Sequence, residues 1–193
     1  MSIIYYKNPA IGFWTQPLPA GGCAYTLTTM LGEYLREAER TYGQRNMEWT
    51  ILGIEFSGTI PHVWFPNNEN LVSVMLTESA ALEPNRALFQ LSHEVVHLLE
   101  PCRITPTTVF EEGLATLFAH EMSTKHRLGM ISDGSYLSAE KALKEFLAIC
   151  PDGVQRIRQT SENFVNLSDG DILRACPNVP AALAKTLSEK FVR

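Results

Sequence analysis

The spacing of apolar residues changes period along this chain, and that change limits the fold more than any other feature. "EWTILGIEF" (48–56), "IPHVWF" (60–65) and "LVSVML" (71–76) are short runs rich in β-branched and aromatic residues, divided by turn-prone "SGT" and "PNNEN". They predict three strands in a meander. Ahead of them, Leu27, Met30, Leu31, Tyr34, Leu35 and Ala38 recur at helical spacing between about Thr26 and Tyr42, and Gly43 is placed to end that helix. Beyond them the chain reads as helical throughout. Pro84 suits the first turn of a helix that runs to about Glu100, where Pro101 forces a stop. Another helix starts near Thr108 and ends at Gly129, with more expected near 138–149, 153–160, 169–176 and 180–192. A small sheet followed by helices is an α+β order.

A length of 193 residues suits one domain. Its first subdomain (1–100) holds the sheet and the Pro84 helix, and its second (101–193) is helical. The net charge of −5 offers no basic block to neutralise phosphates, so nucleic acid is not an expected partner. No apolar run is long enough to span a bilayer, and no membrane is expected either. "MSIIYYKNPAIGFW" lacks the features of a signal peptide, which makes the cytoplasm the expected compartment, with a trimmed secretion signal as the alternative. Pro9, Pro17, Pro19 and Gly21-Gly22 make the first 25 residues read as an extended arm, and whether it acts as a prosegment stays open. Cys23, Cys102, Cys150 and Cys176 are widely scattered, form no Cys-x-x-Cys pair and are expected to be reduced. Oligomeric state is not legible.

Within the Pro84 helix stands "QLSHEVVHLLEP" (90–101). Positions i and i+4 share a helix face, so His93 and His97 can aim imidazole nitrogens at one point, as a tetrahedral zinc ion requires. Glu94, about a quarter turn from His93, is poorly placed to be a ligand but well placed to reach a water as general base. The bland alternative is a half-buried helix with two satisfied histidines. Yet two histidines and a carboxylate among Leu88, Leu91, Val95, Leu98 and Leu99 cost desolvation unless they are partnered.

Catalytic zinc usually has three protein ligands. The pattern His-Glu-x-x-His-x-x-Gly-x-x-His fails here, because Glu100 replaces the Gly and Arg103 the last His; an Asp in that last place fails equally. What remains is "VFEEGLATLFA" (109–119), and with it the chain resembles the gluzincin zinc metallopeptidases, whose Asn-Glu-Gly-x-Ala stands here as Glu111-Glu112-Gly113-Leu114-Ala115. The resemblance covers roughly residues 49 to 120. The spacer of 14 residues between His97 and Glu112 is shorter than in the larger gluzincins and looks more like their compact members. It implies a zincin-like fold, one Zn²⁺ per chain and a glutamate as third ligand. Loop length favours the same assignment, since about seven residues join the two helices, as between neighbours. Glu111 and Glu112 compete for the position. Thr108-x-x-Glu111 reads as a capping box, which occupies Glu111 and favours Glu112 for the metal.

A cysteine ligand at Cys102 is a weaker possibility. An oxyanion donor is expected among Tyr136, His120 and His126, in that order. Zincins bind peptide as an added strand, and "IPHVWF" is the best edge because Pro61 cannot donate to a ladder. His62, Val63 and Trp64 are therefore the expected substrate contacts. These readings converge on a zinc metallopeptidase, a hydrolase with Glu94 as base acting on a peptide or protein whose identity and cleavage mode stay open. The alternative is a zincin-like scaffold that binds a peptide or partner protein without cutting it.

Overall fold

The computed structural model describes residues 27–193 apart from Asp133 and Glu162, together with the backbone pairing of β1 (Ile4–Tyr5) and β2 (Trp14–Thr15). The extended arm read in residues 1–25 otherwise lies outside the described residues, as does Cys23. Among the described residues the architecture is mixed α+β, with seven α-helices and a three-stranded sheet.

Helix α1 (Leu27–Tyr42) buries Leu27, Met30, Leu31, Tyr34 and Ala38 on one face, as their spacing requires. It stops at Gly43, whose φ of 101° is open to glycine at little cost. The strands that follow are β3 (Thr50–Phe56), β4 (His62–Trp64) and β5 (Leu71–Leu76). Their spatial order is β3-β5-β4, with β5 parallel to β3 and antiparallel to β4.

This corrects the expected meander, which would place β4 in the centre. A central strand needs two full ladders and two covered faces. β4 has three residues, follows Pro61, and leaves His62 and Trp64 exposed. In β5, Val72, Ser73, Val74 and Leu76 are all buried, and that strand takes the centre. β4 is left at an edge, paired through His62–Met75, Val63–Val74 and Trp64–Ser73.

After a 3₁₀ turn over Glu78–Leu82, helix α2 (Pro84–His97) packs against β5, α1 and the next helix, α3 (Val109–His126). It ends at His97, short of Glu100, because the amides of Leu98 and Leu99 bond three residues back, to Val95 and Val96 at 3.1 Å. Arg158 ties down the chain beyond it, pairing with Glu100 at 2.8 Å and donating to the carbonyls of Gln44 and Leu99. Helices α4 (Gly134–Ile149), α5 (Gly153–Thr160), α6 (Asp169–Ala175) and α7 (Ala181–Ser188) complete the helical part.

Gly113 sits where α3 meets α4: a β-carbon there would come within 2.6 Å of the Ala139 carbonyl oxygen. The glycine of "EEGLA" is thus a requirement of close helix approach. Cys150 and Cys176, expected to be reduced, instead form a disulfide with a Cα–Cα distance of 6.3 Å. The ends of α4 and α6 meet there, a tertiary juxtaposition that no local spacing announces. Nor does the last helix reach residue 192. Beyond Ser188 the chain turns back along the start of α3, where Val109 N–H donates to the Glu189 carbonyl at 2.9 Å and Phe191 N–H to the Thr107 carbonyl at 2.8 Å.

Candidate metal centre

His93 and His97 stand one turn apart near the end of α2, their ring centroids 5.3 Å apart. Glu112 reaches them from the first turn of α3. His93 Nε2 lies 3.1 Å from Glu112 Oε2, and His97 Nε2 lies 3.9 Å from Glu112 Oε1. One donor atom from each of the three falls within 4.8 Å of the other two. Ligands about 2.1 Å from a common tetrahedral centre stand about 3.4 Å from one another. Two imidazoles and a carboxylate at these separations can hold a metal ion.

Glu111 has a different task from the one its capping motif suggests. Only half of the box forms, with Thr108 Oγ1 accepting from Glu111 N–H at 3.3 Å. The Glu111 carboxylate turns instead to His97 Nδ1 at 2.8 Å, and also accepts from the Thr107 hydroxyl. An imidazole N–H is a stronger partner for a carboxylate than a backbone amide at a helix start. A proton held on Nδ1 leaves the Nε2 lone pair facing Glu112, the tautomer a metal ligand needs.

The site is electrostatically dense. Burial depresses the His97 pKa, but the hydrogen bond and charge of Glu111, with Glu112 and Glu94, outweigh it and raise the value to about 10. Burial raises Glu112, while the hydrogen bond from His93 and the charges of His97, His93 and Arg193 bring it down to about 2. A charged His97 beside an ionised Glu112 makes a cluster in which a divalent cation can take the place of a proton. Glu94 is almost fully buried, and that burial raises its pKa against the opposing charges of His97 and His93.

Two cavities flank the triad. The larger, about 360 Å³, is lined by His62 and Val63 of β4, by His93, Glu94 and His97, by Glu111 and Glu112, and by Thr107, Phe191 and Arg193. The smaller, about 290 Å³, is lined by Phe89, Gln90, Met130, Ser132 and Tyr136 and shares Pro61, His93, Glu94 and Arg193 with the first. Trp64, 43% exposed, lines neither. Cys102 is a free thiol on the wall of the larger cavity, outside the three-residue donor cluster.

Of the three oxyanion candidates, only Tyr136 is beside the triad, with its ring 5.7 Å from that of His93. Burial and the Glu112 charge raise its pKa, while Arg193 works the other way through its charge and a hydrogen bond. His120 is engaged at both nitrogens, Nδ1 to Glu140 at 3.0 Å and Nε2 accepting from Ser132 N–H at 2.8 Å. His126 packs edge-on against Tyr34 of α1, 5.4 Å between centroids. Sequence reasoning missed Thr107, Phe191 and Arg193. Thr107 sits in a connection without periodicity, Phe191 lies in a segment whose pattern reads as helix, and Arg193 follows directly after it.

Compared with models of protein families, with curated proteins and with solved structures, the chain matches none.

Proposed function

We propose that the protein is a zinc-dependent metallopeptidase of compact gluzincin type, with a zincin-like arrangement of sheet, metal helix and helical second half. The observation that carries this reading is the convergence of His93, His97 and Glu112 beside a buried Glu94. The donor set of two imidazoles and one carboxylate suits zinc and leaves room for substrate. His93 and His97 would hold it through ring nitrogens and Glu112 through a carboxylate oxygen. Bound there, zinc supplies a Lewis acid for a peptide carbonyl.

The chain's own residues do the rest. Glu94 accepts a proton from the attacking water at its carboxylate and delivers it to the amine nitrogen of the leaving group. Its raised pKa suits both halves of that transfer. The Tyr136 hydroxyl donates to the carbonyl oxygen as charge builds there. Among the described residues β4 is an edge strand, and His62 and Val63 line the larger cavity, where an extended peptide would add as a strand.

A scaffold that binds peptide without cutting it would leave Glu94 without a task. Among the described residues no helix is long and apolar enough to cross a membrane. As for compartment, the Cys150–Cys176 disulfide favours an oxidising setting over the expected cytoplasm.

The test is elemental analysis of protein purified without added metal, with digestion of a mixed peptide library. One zinc per chain and discrete cleavage products are expected. Near-stoichiometric zinc surviving in a His93→Ala, His97→Ala double variant would overturn the site.

A further inference from the structure

Arg193 occupies an unusual position, because it lines both cavities at once. It therefore sits at their junction, where His93, Glu94 and Pro61 are also shared. The backbone that carries it is held. Phe191, two residues earlier, is buried, packs 4.9 Å from the Tyr136 ring and bonds through its N–H to Thr107. Lys190 adds a hydrogen bond to the Val165 carbonyl.

Several other charged groups along the two walls already have partners. Glu111 and Glu112 face His97 and His93, and Arg86 of the smaller cavity pairs with Glu83 at 3.0 Å. Arg193 lends its charge to Tyr136 and Glu112, but among the described residues it closes no ion pair within 4.0 Å. An exposed guanidinium fork with donors to spare at the meeting point of two clefts can receive a carboxylate in two parallel hydrogen bonds.

We propose that Arg193 is a specificity-determining residue that receives a substrate carboxylate close to the bond held at the His93/His97/Glu112 triad. The carboxylate is either the peptide's own C-terminus or an acidic side chain. That the ligand is a peptide rests on the metallopeptidase reading; that it is an anion rests on Arg193.

The experiment measures binding in the absence of turnover. Zinc-supplemented Glu94→Gln protein is titrated into dansyl-Ala-Ala-Ala free acid, its amide, and dansyl-Ala-Ala-Glu amide, with fluorescence anisotropy as readout. At least one carboxylate-bearing peptide should bind about tenfold or more tightly than the plain amide, the scale of one charged hydrogen-bonded contact. A gain confined to the free acid assigns the terminal carboxylate, and a gain for the glutamate amide assigns a side chain. Adding Arg193→Gln should erase the gain at unchanged zinc content and circular dichroism, and Arg193→Lys should restore part of it. Equal binding of all three peptides, a gain that survives Arg193→Gln, or no binding of any peptide overturns the proposal. Hydrolysis by the protein with Glu94 intact is read separately. Discrimination without hydrolysis would remove the peptidase reading and leave the carboxylate site standing; hydrolysis without discrimination would remove Arg193's role alone.

Discussion

The Glu111 carboxylate lies 2.8 Å from His97 Nδ1 and so decides which nitrogen of that ring faces Glu112. Adjacent glutamates on one helix turn thus divide the work: Glu112 points at both histidines, and Glu111 orients one of them.

The division predicts graded losses. Glu112→Ala removes a ligand and should lower zinc affinity most. Glu111→Ala leaves the ligands in place but frees the His97 ring, which should cost about 10–100-fold in affinity. Competition with a chromophoric chelator measures both. Unchanged affinity in Glu111→Ala would show that its carboxylate does not orient the His97 ligand.

Glu94 borders both cavities and is absent from the donor cluster. Glu94→Gln should therefore keep its zinc while hydrolysis falls by about 10²–10⁴-fold, the usual worth of a general base. Steady-state turnover beside metal analysis of the same preparation decides it. Loss of zinc would make Glu94 a ligand, and unchanged turnover would make it a bystander.

What the sequence made legible was local. His93 and His97 share a face because a helix repeats every 3.6 residues, and Thr108 caps α3 because its hydroxyl reaches one turn ahead. Relations between distant segments were not legible. β5 takes the sheet centre through burial on both faces, Cys150 meets Cys176 across 26 residues, and the segment after Ser188 abandons its helical pattern to pair with α3. Glu111 lies between these cases. Its amide obeys the local capping rule, while its carboxylate answers to a histidine 14 residues away.

Away from the candidate metal centre, Glu140 of α4 offers a pH test of stability. Burial raises its pKa, but hydrogen bonds from Lys144 and His120, with their charges, outweigh burial and hold it below the ordinary value. A depressed folded-state pKa adds stability that is complete above the unfolded carboxylate value, about 4.3, and is lost as pH falls through the folded value. Glu140→Gln should therefore cost about 1–3 kcal/mol at pH 7. The gap between denaturant melts of the two proteins should begin to narrow as the pH falls below about 4.3 and close once it passes below the folded value. A gap that stays constant down to pH 3 would show that packing, and not charge, is what Glu140 contributes.

The position of substrate is the last expectation, and it follows from how β4 is paired. Among the described residues its only ladder is with β5, through His62, Val63 and Trp64, and no strand pairs with its other edge. Unpaired strand amides exchange with solvent readily and become protected when an extended peptide adds to them. His62 and Val63 line the larger cavity, so a peptide along this edge runs directly past His93 and His97. Trp64 is exposed and outside the cavity wall, and Trp64→Ala should weaken binding less than shortening Val63 does. Hydrogen exchange on the Glu94→Gln protein, with and without a non-cleavable peptide, reads the edge directly. Backbone amides within 62–65 should slow on binding. Protection confined to the helices lining the smaller cavity, with these amides unchanged, would move the substrate off β4 and onto that second wall.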